Sequence, residues 1–501
     1  MIMQLRRTLF LRWHKILASV PLTAVTLYLL LLIPEPDPPT LKSPDKKPFS
    51  WNQDERWVQM EQHFSQFRAL GCERIIQQVD THLEHAHRLL DSIDASTLQS
   101  EAEVFSAIEN TIFELGPMIA VCSQKLPEYA QLVMRTRAVV KRQSQRWDMS
   151  LQSTRHRMYR LLFGGRAALE EVMLQVPAGS LSALILAEDE PSKTPWARIL
   201  DVKIHSGDIL VSRGGSPTSA LIARGNDYPG NFSHVALVHV DEKTSLATII
   251  ESDGNRRGVM TTALEDYLKD VKLRVVVLRL RSDLPELISD PLLPHKAAAR
   301  ALEEAQTRRI PFDFEMDHHD HSKMYCSEVP SSAYQQIGIT LWMGISSISA
   351  PGVISWLAAL GVRHLELQEP SDLEYDPQLR VVAEWRDPEA LYQDHLDNAV
   401  TEVMLRGAEE GETLDYSFFM LPYARLVKAY SMFMYSLGFV GPIPEGMSPG
   451  AALCAQRFIN THRALKERAL TLANEFKHRE GYTPPDWELV KIVKQAKDER
   501  Q

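Results

Sequence analysis

The sequence predicts an α+β fold in which an antiparallel sheet and a cysteine-bearing helix lie between two helical regions. From about Trp196 to Leu280, apolar residues recur with a period near 2, and turn residues separate the strand-like runs. Residues 51–175 and 389–501 instead carry apolar residues with a period near 3.6, which is typical of helices. A run of strands followed by helices favours α+β over α/β organisation.

The composition excludes several classes of protein. The chain has 501 residues, of which 44% are hydrophobic and 24% are charged, as is ordinary for a globular protein. The net charge of −10 disfavours nucleic-acid binding. Four cysteines without a CxxC pair disfavour a disulfide scaffold or a zinc site, so we expect no cofactor and no metal. The run His318–His321 is interpreted as a polar loop, with metal binding as the alternative.

An apolar run near the N-terminus, residues 16–33, has about the minimum length that crosses a bilayer. Basic residues and no acid precede it, and Glu35 and Asp37 follow it. The positive-inside rule therefore predicts that residues 1–15 are cytoplasmic and that the rest of the chain lies outside the inner membrane. We expect a single uncleaved transmembrane anchor. A cleaved signal peptide is the alternative, although no small-residue cleavage motif follows the run.

The residues after this run predict a linker and then a helical bundle. Six prolines within residues 34–50 predict a semi-rigid linker that would hold the next domain off the membrane. Residues 51–180 predict an antiparallel helical bundle. We expect its second helix to be interrupted at Gly116-Pro117 and its third to stop or kink at Gly164-Gly165, because glycine and proline disfavour helix interiors.

Two features of the predicted bundle bear on partners and compartment. Residues 131–166 hold nine Lys or Arg against one acid, which indicates either a solvated helix face or a face that contacts anionic lipid or an acidic polymer. An envelope protein could bind through the same bundle. Cys72 and Cys122 lie about 25 residues on either side of Thr97. If Thr97 is near the turn of a helical hairpin, the two thiols face each other and can form a disulfide in an oxidising periplasm.

Residues 401–501 predict a C-terminal helical region. Its segment 412–439 is rich in Phe, Tyr, Met and Leu, but Arg425 and Lys428 make it a poor membrane span. We expect these apolar side chains to pack in a core. A surface that contacts lipid is the alternative.

The stretch Met324–Glu328 predicts a cysteine at the start of a helix, since Ala333, Ile337 and Leu341 continue a helical pattern after it. Unpaired backbone N–H groups at a helix start favour the thiolate form of Cys326, which is the nucleophilic form. A buried structural cysteine is the alternative interpretation.

A cysteine nucleophile needs a base within hydrogen-bond reach and a third group that orients the base. His234 opens a strand directly after a loop of Gly, Asn and Pro, and Glu251 ends the next strand. If these strands are antiparallel neighbours, Glu251 can approach the imidazole and fix its tautomer. The alternative for His234 is a histidine satisfied within the core.

Four short motifs together resemble the circularly permuted papain-like hydrolases of the YiiX/YaeF type, which are relatives of the NlpC-type cell-wall peptidases. The motifs are Gly207–Leu210, Phe232–Leu237, Ile250–Ser252 and Tyr325–Glu328. Val382–Arg386 is similar to a later element of the longer members. The resemblance spans about residues 195–400 and implies a permuted papain-like domain, in which the histidine strand precedes the cysteine helix.

The resemblance implies that Cys326 is the nucleophile, His234 the general base and Glu251 the residue that orients the base. It also implies an oxyanion hole formed by the Cys326 backbone N–H with help from the Tyr325 hydroxyl. The expected protein is a membrane-anchored cysteine amidase or peptidase acting on cell-wall peptides. Two alternatives are a lipid or lipoprotein acyl hydrolase or acyltransferase, as in the related lecithin retinol acyltransferases, and a non-catalytic envelope anchor.

Overall fold

The computed structural model describes residues 25–36, 38–44, 46–49, 53–177, 179–187 and 189–500. The predicted cytoplasmic segment 1–15 and the first half of the predicted anchor lie outside these residues. Residues 25–31 are helical, and the apolar side chains of residues 25–30 are exposed. Of the helices described, Glu103–Val121 has the length and apolar composition of a membrane span, but 61% of its apolar window is buried inside the protein. It is a core helix of the bundle.

The bundle predicted over residues 51–180 is present as five helices within the described part of that range. They are α1 (Gln53–Leu70), α2 (Cys72–Asp94), α3 (Glu103–Val121), α4 (Leu126–Ser144) and α5 (Gln152–Gln175). Thr97 lies in the turn between α2 and α3, and Cys72 and Cys122 form a disulfide with a Cα–Cα distance of 5.0 Å. The predicted pairing is confirmed.

The predicted end of the second helix at Gly116-Pro117 is wrong, and the helix that contains Gly164-Gly165 does not stop there. α3 continues through Gly116-Pro117 to Val121, and α5 continues through Gly164-Gly165. At Gly116 glycine allows close helix packing, because a Cβ there would lie 3.2 Å from Met60. A Cβ on Gly165 would make an ordinary contact with Val133 at 3.7 Å. Tertiary packing overrides the weak local preference of these residues. The actual break falls between α4 and α5, at residues 145–151.

The strands confirm the predicted antiparallel sheet. They are β1 (Leu184–Leu186), β2 (Trp196–Ile199), β3 (Val202–His205), β4 (Ile209–Gly214), β5 (His234–Val240), β6 (Ala247–Asp253), β7 (Gly258–Ala263), β8 (Lys272–Leu280), β9 (Ser346–Ser347), β10 (Glu366–Leu367) and β11 (Leu379–Arg386). Within the described residues one sheet has seven strands in the order β1-β11-β8-β4-β5-β6-β7, and every neighbouring pair in it is antiparallel.

Helices cover this sheet and extend beyond it. They are α6 (Pro217–Arg224), α7 (Leu264–Lys269), α8 (Pro285–Ser289), α9 (Leu293–Thr307), α10 (Glu328–Gln335), α11 (Pro351–Leu360), α12 (Pro388–Glu409), α13 (Leu421–Ser436), α14 (Pro449–Glu480) and α15 (Asp486–Asp498). Val235 and Leu237 of β5 pack in a cluster with residues of α9 and α10, whereas Ala236 and Val238 pack in a second cluster with the β2–β3 hairpin and α7. Both faces of the central strands are therefore buried. α12 also runs without a break across the predicted domain boundary at residue 400.

The basic stretch at residues 131–166 is not a uniformly solvated face, because four of its nine Lys and Arg side chains are buried. Contact of its other cations with anionic lipid or an acidic polymer stays a prediction. Arg137 and Arg166 bind the carboxylate of Glu384 on β11 at 3.0 and 3.2 Å, and Arg166 also binds Glu374 at 2.6 Å. These cations face acids of the sheet domain, from which about 200 residues of sequence separate them. The buried cations of the stretch are Arg137, Lys141, Arg155 and Arg166.

The C-terminal apolar segment and the linker also differ from expectation. Eleven large apolar side chains between Phe418 and Val440 are exposed, so the expected core packing of segment 412–439 is wrong. Within the linker, the Phe49 ring packs on Tyr159 with 5.2 Å between centroids, and the Ser43 hydroxyl donates to the Ser349 carbonyl at 2.9 Å. The described linker residues are bound along the fold and do not form a free spacer.

Candidate active site

Cys326 lies in the turn that immediately precedes α10. The turn is closed by a hydrogen bond from the Glu328 N–H to the Tyr325 carbonyl at 3.1 Å. Pro330 occupies the first turn of α10, where no backbone donor is needed. The predicted helix start within two residues of Cys326 is confirmed. The helix ends at Gln335, so the later apolar residues of the predicted pattern lie beyond it.

The antiparallel register of β5 and β6 brings His234 and Glu251 together. Ala236 is paired with Glu251, so His234 is its diagonal neighbour on the same face of the sheet. The distance between His234 Nε2 and Glu251 Oε2 is 2.7 Å. The second carboxylate oxygen, Oε1, accepts a hydrogen bond from the Thr262 hydroxyl at 2.8 Å. Both oxygens of Glu251 are therefore engaged, and the carboxylate cannot rotate away from the imidazole.

The thiol of Cys326 is the other group that interacts with the His234 imidazole, and it helps to raise the pKa of His234. Because Nε2 is held by Glu251, Nδ1 is the nitrogen available to the thiol. Burial alone would lower the pKa of His234, but the adjacent Cys326 and Glu251 raise it to about 10. Burial alone would raise the pKa of Glu251, but His234 and Thr262 hold it below its usual value. The site therefore favours an imidazolium between two acidic groups at neutral pH.

Access to the site is limited. Cys326 is 8% exposed, whereas the side chain of His234 is 23% exposed, so the imidazole edge is the more open part of the cleft. Ser252, which follows Glu251 on β6, donates its hydroxyl hydrogen to the Met324 carbonyl at 2.6 Å. This bond ties the strand that carries the acid to the loop that carries the cysteine.

The hydroxyl of Tyr325, the predicted oxyanion donor, already has a hydrogen-bond partner within the protein. Its hydroxyl accepts a hydrogen bond from the backbone N–H of Gln368 at 3.1 Å, and its ring is buried, which raises its pKa above the usual value. Gln368 in turn donates its side-chain amide to Ser331 on α10 at 2.9 Å. A role of the Tyr325 hydroxyl in an oxyanion hole stays a prediction. In the structure this hydroxyl is bonded to the backbone of Gln368.

Glu328, the last residue of the Tyr-Cys-Ser-Glu motif, is a buried acid beside the cysteine. Burial raises its pKa to about 9, so it is protonated at neutral pH. Its Oε2 atom accepts from the Tyr325 N–H at 2.9 Å, and its Oε1 atom lies 3.3 Å from His321 Nδ1. Glu328 thus clamps the backbone on the N-terminal side of Cys326, without adding a negative charge next to the thiol.

The supporting residues were not identified from the sequence. Ser252 and Glu328 stand inside the motifs that carry the resemblance, and that position is a usable signal for a role beside the site. Thr262 and Gln368 lie on other segments with no local pattern around them, so only the folded chain reveals their contacts. In the described part of the chain no group of three or more His, Cys, Asp or Glu side chains is arranged to hold a metal.

Comparison with protein-family models finds a match in the sheet domain. Residues 203–382, which include Cys326, His234 and Glu251, match the family model described as permuted papain-like amidase enzyme, YaeF/YiiX, C92 family. Among solved structures, the chain is similar to one titled crystal structure of metalloprotein YiiX from Escherichia coli O157:H7, at 20% sequence identity. That match covers 36% of this chain and 97% of the other, with a TM-score of 0.28. No curated protein gives a significant match.

Proposed function

We propose, on the premise that residues 203–382 belong to the permuted papain-like amidases, that this protein is a membrane-anchored cysteine amidase acting on cell-wall peptides outside the inner membrane. The family match makes the domain that of a cysteine amidase or peptidase. The observation that carries the proposal is the cluster of Cys326, His234 and Glu251, in which the His234 imidazole is bonded to Glu251 at 2.7 Å and interacts with Cys326.

In the proposed reaction the Cys326 thiolate attacks the carbonyl carbon of an amide, and its C–S bond forms as the carbonyl π electrons move to oxygen. The Cys326 backbone N–H, in the turn before α10, is a donor for that oxyanion. The His234 imidazolium then gives its proton to the amine nitrogen as the C–N bond breaks. A water molecule, deprotonated by His234, cleaves the resulting thioester and releases a carboxylic acid. Glu251 holds the imidazole orientation and balances its charge in each step.

Two observations support a location outside the cytoplasm. The Cys72–Cys122 disulfide suits an oxidising compartment, because cytosolic thiols are usually kept reduced. The apolar run at 16–33, with basic residues before it and acids after it, suits a single span with the N-terminus inside. A tether of this kind would keep the amidase close to the cell wall.

The test is digestion of defined cell-wall peptides by the purified full-length protein in detergent, followed by mass spectrometry of the products. The proposal expects new amine and carboxylate ends with the wild type and none with Cys326→Ala. A matched Cys454→Ala variant, which changes the other free cysteine, should retain activity. Release of fatty acid from lipids or lipoproteins with no cleaved amide would instead support the acyl hydrolase, a reaction that the exposed apolar segment near Phe433 favours. Turnover of neither substrate class would leave the non-catalytic anchor as the better account.

A further inference from the structure

One helix carries a regular row of apolar residues on the side that faces water. Its members recur every three or four residues, so they lie on one face of the helix. They are Tyr423, Leu426, Tyr430, Phe433 and Leu437, each between 54% and 63% exposed. We call this row, with the exposed Phe418, Phe419, Met420, Phe439 and Val440 at its two ends, the outer face of α13. The inner side of α13 is ordinary core, with Leu421, Ala424 and Tyr435 buried.

An exposed surface of this kind is unusual for a protein surrounded by water. Monomeric soluble proteins rarely expose contiguous apolar patches larger than a few hundred Å² without a partner. Charged residues are also sparse here: Arg425 and Lys428 are the charges between Asp415 and Glu445, and both are cationic. Lys428 donates to the Pro444 carbonyl at 2.7 Å, which turns its ammonium group away from the outer face.

The N-terminal apolar run identifies what covers this face. Arg425 donates to the carbonyl of Leu31 at 2.9 Å, at the end of the exposed helix of residues 25–31. Glu35 accepts hydrogen bonds from the Ser448 hydroxyl at 2.8 Å and the Gly450 N–H at 3.1 Å, at the start of α14. The end of the predicted membrane span is therefore bonded to the two helices that carry and support the outer face. α13 therefore lies beside the C-terminal end of the predicted membrane span.

We propose that the outer face of α13 is a membrane-docking surface that lies in the headgroup and upper acyl region of the same bilayer. An interfacial helix of this type places Phe, Leu and Tyr side chains in the lipid and keeps cations at the headgroup level. Arg425, with no acid between Asp415 and Glu445, favours an anionic lipid surface. The occupant is lipid and not a second copy of the chain, because the face is continuous with the segment that is itself predicted to be in lipid.

Docking would also position the active site. Arg257, in the turn between β6 and β7, donates to the Gly438 carbonyl at 3.1 Å, just beyond the end of α13. β6 is the strand that carries Glu251. Gly446 lies against Phe314, in the segment that precedes the Cys326 loop: a Cβ at Gly446 would be 2.9 Å from that ring. Both contacts join the docking surface to the catalytic domain, so a docked α13 holds the cleft at a fixed height above the lipid.

The test uses the full-length protein in vesicles of phosphatidylcholine and phosphatidylglycerol. A Cys326→Ala background removes the predicted nucleophile, and an environment-sensitive fluorophore is attached at Phe433→Cys. The matched control carries the label at Leu246→Cys, an apolar residue that is 66% exposed in the turn before β6. Leu246 and Asp253 lie at opposite ends of β6, roughly 20 Å apart, so the control is distant from the Arg257 turn. Vesicle flotation reports whether the chain inserts, and brominated lipid reports whether the label touches acyl chains.

The proposal expects flotation, strong quenching of the Phe433→Cys label by brominated lipid and quenching of the Leu246→Cys label by aqueous iodide only. Flotation with iodide quenching at both positions would overturn docking while leaving the anchor intact. A label at position 433 that neither quencher reaches would mean that protein covers the face, and this also overturns the proposal. Failure of both variants to float would remove the anchor and the docking surface together. None of these outcomes depends on amidase activity, which the cell-wall peptide digestion tests separately.

Discussion

Two segments of this chain have the opposite burial from the one that their compositions suggest. The basic segment at residues 131–166 has three arginines, Arg137, Arg155 and Arg166, buried against acids of the sheet domain. The apolar segment at residues 412–439 has much of its aromatic and aliphatic surface exposed. A segment's composition therefore does not determine its burial. Burial also depends on the residues or the surroundings that the segment contacts.

The physical reason differs between the two segments. A buried cation is tolerated when an acid with good geometry neutralises it, and here Glu374 and Glu384 lie over 200 residues away from their partners in sequence. An apolar helix face can remain uncovered by protein when lipid, and not water, surrounds it. Neither partner can be identified by inspecting the segment alone.

The largest expected effect comes from breaking the buried ion network at Arg166. Arg166→Met leaves the carboxylates of Glu374 and Glu384 buried with one cation fewer. Removing one partner of a buried pair typically costs about 3–5 kcal/mol, since a buried charge then lacks compensation. We expect that loss in the free energy of unfolding, measured by denaturant titration. The matched control is Arg142→Met, whose partially exposed pair with Asp94 should contribute less than about 1 kcal/mol. Equal effects of the two substitutions would mean that the network is not what binds the bundle to the sheet domain.

A somewhat smaller effect is expected from removing the covalent link within the bundle. Cys72→Ser opens a disulfide that closes a 50-residue separation between α2 and the end of α3. Loss of a native disulfide raises the entropy of the unfolded chain and typically costs about 2–4 kcal/mol. Reductant should lower the melting temperature of the wild type by the same amount as the Cys72→Ser substitution does. An unchanged melting temperature in both comparisons would contradict this prediction.

The smallest effect on stability is expected at the outer face of α13. Phe433→Ala should change the free energy of unfolding in detergent solution by no more than about 0.5 kcal/mol, because the ring is 59% exposed. Phe458→Ala, at a position 1% exposed on α14, is the matched control and should cost about 3–5 kcal/mol. A cost at Phe433 near that of Phe458 would show that the ring is packed against protein, and the contrast between the two segments would then fail.

Much of the sheet and of its chemistry could be predicted because the patterns that indicate them are local. Alternating residues identified β5 and β6, and the turn before α10 was signalled by the sequence around Cys326. The pairing of Cys72 with Cys122 followed from their symmetry about Thr97. The strands and the turn depend on neighbours in sequence, for which periodicity and turn chemistry are reliable guides.

What could not be predicted depends on contacts between distant segments. The register that brings His234 and Glu251 within 2.7 Å is set by the whole sheet, and Thr262 supports Glu251 from a strand with weak alternation. The hydroxyl of Tyr325 accepts a hydrogen bond from the backbone of Gln368, which lies 43 residues further along the chain. Local breaker residues such as Gly116 were misleading for the same reason, since helix packing decided their conformation.

The most direct test of the account is the rate at which iodoacetamide modifies Cys326 at pH 7, measured by peptide mass spectrometry. Cys454 is an internal control in the same chain, because burial raises the pKa of its thiol to about 11. We expect Cys326 to react far faster than Cys454, and we expect His234→Ala to slow the reaction of Cys326, because the substitution removes the imidazole that takes the thiol proton. Equal rates for Cys326 in the wild type and in His234→Ala would contradict the catalytic cluster on which the proposed function rests.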